Sequence, residues 1–139
     1  MERDVKRGAV VLGALIALAG GGVASAHHSA AMFDASKTVT LKGVVKQFQW
    51  TNPHSWLTIS VQNPDGSVVD WSVEMTSPNL LKRAGWRPST IQVGDRITVV
   101  GAPLRDGSLG AQFQKATMGD GRTLTYESVA PTTGPNRPY

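Results

Sequence analysis

Apolar and polar residues alternate along most of this chain from Thr38 onward, and the alternation predicts a succession of short strands. In the first, Thr38–Trp50, Val39 and Leu41 share a face. After Gly43 the apolar set becomes Val44, Phe48 and Trp50, with Lys46 between. A glycine where the phase changes predicts a bulge or sharp bend inside one long strand. A second strand follows, with Leu57, Ile59 and Val61 alternating with Trp56, Thr58 and Ser60. Asn63-Pro64-Asp65-Gly66 is a hairpin turn, proline setting φ and glycine taking the left-handed position. The third strand places Val69, Trp71, Val73 and Met75 inward and Asp70, Ser72 and Glu74 outward.

The period then changes. Ser77-Pro78 reads as an N-cap followed by an N1 proline, and Gly85 as the residue that ends a short helix after Lys82-Arg83. Leu80, Leu81 and Ala84 form its expected packing face, joined by Trp86. Strands resume over Arg96–Gly101, Ala111–Met118 and Arg122–Tyr126, separated by turns at Asp106-Gly107 and Asp120-Gly121.

Three strands, a short helix and then further strands, with a bent first strand, is the connectivity of an OB-fold. The expectation is therefore all-β: an OB-like barrel of five to six strands over residues 38–126, with one helix between strands three and four. The surface such barrels use for ligands is the face of strands two and three with the loop joining strands one and two. Here that loop is Thr51–His54.

The segment before the strands follows a different pattern. Arg3, Lys6 and Arg7 precede an apolar run, Ala9–Ala19, then three glycines and Ala24-Ser25-Ala26. This reads as a secretory signal peptide over residues 1–26, too short to span a bilayer and cleaved between Ala26 and His27. The mature chain is then periplasmic or secreted and has no transmembrane helix. Residues 27–37 form an entry segment, and 127–139, with three prolines and few apolar residues, a disordered tail.

Composition narrows the chemistry. The 139 residues suit one domain with a modest core. There is no cysteine, which excludes disulfides, thiolate metal sites, cysteine nucleophiles and a lipoprotein anchor. The net charge of +4 is scattered, with only Lys82 and Arg83 adjacent among the residues after the signal, so no basic stripe marks a nucleic-acid groove. No nucleophile elbow, phosphate loop or acid–base constellation is visible, which leaves an enzymatic role with the least support.

His27-His28-Ser29, Thr51-Asn52-Pro53-His54-Ser55-Trp56, Ser77-Pro78-Asn79-Leu80-Leu81-Lys82-Arg83-Ala84-Gly85-Trp86 and Asp120-Gly121-Arg122 resemble a family of small exported bacterial proteins of unknown function. The resemblance implies an exported location and a small β-barrel, and no established activity.

The candidate site is the loop. Asn52, His54, Trp50, Trp56 and Glu74 are candidate ligand-binding residues, and His27, His28 and His54 candidate metal ligands. Cleavage after Ala26 makes His27 the first residue, whose α-amine and ring can chelate one metal while His54 adds a second imidazole. Neutral nitrogen donors in this arrangement suit Cu(II), with His28 as substitute or fourth ligand. The roughly 33 Å that His27–Lys37 can span when extended puts no obstacle in the way. Against this stands a plainer reading, in which His27 and His28 are a polar terminus and His54 caps a turn with Asn52. Trp50 and Trp56 are either an aromatic platform or packing residues at the barrel mouth. Asp70 and Glu74 share the outward face of the third strand, as a paired-carboxylate site or a solvated face. Two functional classes remain: a binding module for a small ligand or metal, and a structural or protein-interaction domain of the cell envelope.

Overall fold

A computed structural model describes residues 31–127. The signal peptide, its cleavage bond, His27 and His28, and the tail from 128 onward lie outside the described residues. Among the described residues six strands and one helix follow in the order β1 (Val39–Gln49), β2 (Trp56–Gln62), β3 (Val68–Glu74), α1 (Pro78–Arg83), β4 (Arg96–Pro103), β5 (Gly110–Met118) and β6 (Thr123–Leu124). The sheet order is β3-β2-β1-β4-β5-β6, and a parallel pairing of β3 with β5 closes it into a barrel. With α1 between β3 and β4, this is the OB-type arrangement expected from the pattern.

The long first strand serves both halves of the barrel. Val39–Val44 pair with β4, and Gly43–Gln49 pair with β2. Gly43 belongs to both ladders, and a Cβ there would lie 2.3 Å from the carbonyl oxygen of Ser60. The glycine is a point of close strand approach, not the bulge. The register shift comes between Val45 and Gln47, which makes Lys46 the extra residue. The inward residue after Gly43 is therefore Val45, 1% exposed, and not Val44, 43% exposed. Alternation runs unbroken through Leu41, Gly43 and Val45 and fails only at Lys46. The turn before β4 holds this point: Val45 donates to the Asp95 carbonyl and accepts from Gly94 N–H, both at 2.9 Å.

The core gathers Leu41, Val45, Leu57, Ile59, Val73, Val99 and Phe113 from the strands and Leu81 and Trp86 from the helical segment. Ser77 caps α1 through its side chain, and Pro78 stands in the first turn. At the other end Gly85 N–H donates to Lys82 and Trp86 N–H to Leu81, the paired bonds of a Schellman motif, with Gly85 at φ +88°. Only one of the two helical leucines packs as expected. Leu81 is fully buried while Leu80 is 51% exposed, because a helix this short turns a single stripe toward the barrel.

The first described residues are tied by backbone bonds to the end of β4 and the residues after it. Phe33 pairs with Leu104, and Arg105 N–H donates to the Met32 carbonyl. Phe33 faces the same side as its partner Leu104 and as Ala102 two residues before it. Phe33 and Ala102 are both buried and lie outside the main core cluster.

Candidate functional site

The β2–β3 hairpin sets the geometry of the loop. From the Asn63–Gly66 turn the register runs without a slip to Trp56 opposite Glu74. The ladder continues one step further: Met75 N–H donates to the Ser55 carbonyl at 2.9 Å, and Ser55 N–H to the Thr76 carbonyl at 3.1 Å. Ser55 is thereby locked, and His54 beside it is the first loop residue free to point elsewhere. Its Nδ1 lies 2.5 Å from Glu74 Oε1. The preceding Asn52–Pro53 bond is cis.

Glu74 corrects an expectation. It stands on the outward side of β3, across from Trp56, but its side chain is only 7% exposed. Alternation states which side of a sheet a residue faces, not whether that side is covered. His54 reaches back from the loop and closes over the carboxylate. Asp70, on the same face, does not join Glu74; it accepts from Lys46 Nζ and Ser60 Oγ in the open. The two acids are thus divided between a surface ion pair and a buried carboxylate paired with a partly exposed imidazole.

The pairing has a chemical consequence. A carboxylate in its ionised form can only accept a hydrogen bond, so in that form His54 Nδ1 is the donor. In the neutral imidazole this leaves the lone pair on Nε2, and the ring is 31% exposed.

A second set of groups adjoins the pair. Thr76 N–H donates to the Tyr126 hydroxyl at 3.1 Å. Burial raises the Tyr126 hydroxyl above the ordinary tyrosine range; the Thr76 hydrogen bond opposes this and the Glu74 carboxylate adds to it. The ring stacks at a tilt on Phe113, 5.1 Å between centroids, and Phe113 meets Trp86 edge-on at 5.7 Å. Trp86 Nε1 donates to the Thr125 carbonyl at 2.8 Å, which holds the chain around Tyr126 against the barrel end. Ser55 Oγ is buried without a hydrogen-bond partner. A shallow groove of about 270 Å³ runs past Tyr126, lined by Thr76, Leu80, Arg83, Ala84 and Glu127.

Of the candidate residues, His54 and Glu74 are brought into contact, with Trp56 across the ladder from Glu74. Asn52 is exposed in the loop. Trp50 packs edge-on against Phe48 at 5.8 Å, and both rest on the core cluster. Among the described residues no group of three or more His, Asp or Glu side chains is arranged to hold a metal. Tyr126 and Ser55 were not anticipated, since neither carries a local signal. The His54–Glu74 contact did have one: counting the hairpin register back from the Asn63–Gly66 turn places Glu74 level with Trp56, two positions from His54.

Among the described residues no helix is long and apolar enough to cross a membrane. No protein with a curated description matches the chain. Among solved structures, the crystal structure of the mitochondrial single-stranded DNA binding protein Rim1 from S. cerevisiae is similar to 59% of this chain and 92% of its own, at 11% identity and a TM-score of 0.46. A family model described as a family of unknown function, DUF6152, matches residues 14–113, most of the barrel included, and the chain belongs to that family.

Proposed function

We propose that this is an exported binding module that holds a Cu(II)-type metal ion at the β1–β2 loop, with His54 Nε2 as one donor and the α-amine and ring of His27 as the others. The observation that carries the reading is the hydrogen bond from His54 Nδ1 to buried Glu74. It leaves a half-exposed imidazole with its other nitrogen as an available donor, the arrangement in which metal-binding histidines are held. Neutral nitrogen ligands suit Cu(II). His28 is the substitute or fourth ligand.

The export step rests on the Met1–Ala26 pattern, which would supply the free amine at His27.

The test is a Cu(II) titration of protein beginning at His27, followed by calorimetry and electron paramagnetic resonance. One equivalent is expected to bind, and both an added N-terminal methionine and His54→Ala to weaken binding severely. Equal binding by both variants removes the reading.

One observation favours a second reading, a protein-interaction domain of the envelope that needs no metal. β5 covers β3 only from Ser72 to Glu74, so the outer edge of β3 over Val68–Trp71 has no strand on it among the described residues. Such an edge accepts an added strand. Proline at Asp70, whose N–H lies on that edge by alternation from Ser72, would abolish binding of an edge-pairing partner and leave metal uptake unchanged.

A further inference from the structure

We infer that Glu74 is a positioning residue that fixes His54 in the tautomer with Nδ1 protonated and Nε2 free before any ligand arrives, so that the loop presents a preformed imidazole donor. The purpose of this device rests on the metal reading above; its existence does not.

Both ends of the contact are tied to the sheet by backbone pairing. Glu74 ends β3 and is paired on both sides, with Trp56 of β2 and with Gln112 of β5. Its direction is therefore set by two ladders. On the other side the backbone of Ser55 is bound to Met75 and Thr76, which leaves His54 little beyond its own side-chain torsions to adjust. A ring held this way at 2.5 Å from a carboxylate that is nearly sealed from water has one low-energy arrangement. Turning the ring over puts a ring carbon against the carboxylate, and moving the proton to Nε2 puts a lone pair there; either loses this hydrogen bond. A solvated histidine has no such constraint and samples both tautomers.

The arrangement also separates roles. Glu74 is too enclosed, at 7% exposure, to meet a ligand outside the loop. His54 is the group that meets the ligand, and Glu74 acts through it. Losing an outer hydrogen-bond partner of this kind lowers metal affinity by about 10- to 100-fold.

The deciding experiment needs no metal. Long-range nitrogen–proton correlation spectra of the protein beginning at His27, at neutral pH, report which His54 nitrogen carries the proton. The expected result is Nδ1–H in the parent. Glu74→Gln keeps a side-chain oxygen that accepts from Nδ1 and is expected to keep that tautomer; Glu74→Leu, which fills similar space without an acceptor, is expected to lose it. Nε2–H in the parent, or an unchanged tautomer in a folded Glu74→Leu protein, overturns the inference. If Glu74→Leu fails to fold, the parent spectrum decides: Nδ1–H upholds the assignment, and Nε2–H overturns it. Cu(II) titration of the same proteins is read separately. Binding about 10- to 100-fold weaker in Glu74→Leu and close to parent in Glu74→Gln supports the positioning role. If the parent itself does not bind Cu(II), the metal reading falls while the spectra continue to decide the tautomer.

Discussion

The hydroxyl of Tyr126 accepts the backbone N–H of Thr76 at 3.1 Å, joining two residues 50 positions apart at the end of the barrel where His54 meets Glu74. Replacing Tyr126 by phenylalanine removes the acceptor and leaves a part-buried N–H unpaired, at a cost of about 1–3 kcal/mol. The same variant changes the response to base. Burial raises the tyrosine hydroxyl in the folded chain above its unfolded value of about 10. Stability from this group is therefore fully present below about pH 10 and is lost as pH climbs through the raised folded value. Thermal midpoints followed from pH 8 upward are expected to fall more steeply for the parent than for Tyr126→Phe.

Ser55 gives the opposite expectation. Its backbone is fully engaged, but its hydroxyl is buried and unpartnered. Ser55→Ala removes a polar group that lost its water without a replacement, and is expected to raise stability by about 1 kcal/mol. Urea unfolding with an unchanged slope and a higher midpoint is the supporting result. A lower midpoint would mean that the hydroxyl does find a partner.

Gly43 tolerates no side chain. The Cβ of an alanine would meet a backbone oxygen at 2.3 Å and the Ile59 methyl at 2.7 Å, inside the two ladders that β1 shares with β2 and β4. Backbone in central strands cannot swing aside as a side chain can. Gly43→Ala is expected to cost about 1–3 kcal/mol in denaturant unfolding, despite adding a single methyl group.

Neighbouring leucines in α1 differ sharply. Leu81→Ala empties a fully buried position and is expected to cost about 2–5 kcal/mol. Leu80→Ala, at a half-exposed position, stays within about 0.5 kcal/mol of the parent. Measuring both by the same unfolding curve separates the helix stripe that faces the barrel from the one that does not.

Much of the barrel was legible because its signals are local. Ser77, Pro78 and Gly85 mark the helix by backbone chemistry alone, and the Asn63–Gly66 turn fixes a hairpin whichever way its faces point. Two neighbouring valines defeated the same method: Val44 and Val45 are equally apolar, and only the turn at Gly94-Asp95, docked on Val45, decides which one turns inward. The site was half legible. His54 was recognisable as a candidate because it is the single histidine in the loop that OB-type barrels use. The burial of Glu74 was not, because His54, the partner set against it, is a loop residue 20 positions earlier. Periodicity carries no information about such distant neighbours.

The barrel is closed by three residue pairs between β3 and β5, against six or seven at its other long joints. A ring opens at its weakest joint, and this joint includes Glu74, paired there with Gln112. The carboxylate that anchors His54 is thus also a stave at the seam. Opening of the seam would carry the anchor with it, and protection of the Ser72 amide from hydrogen exchange, bonded across that seam to Leu109, is its gauge.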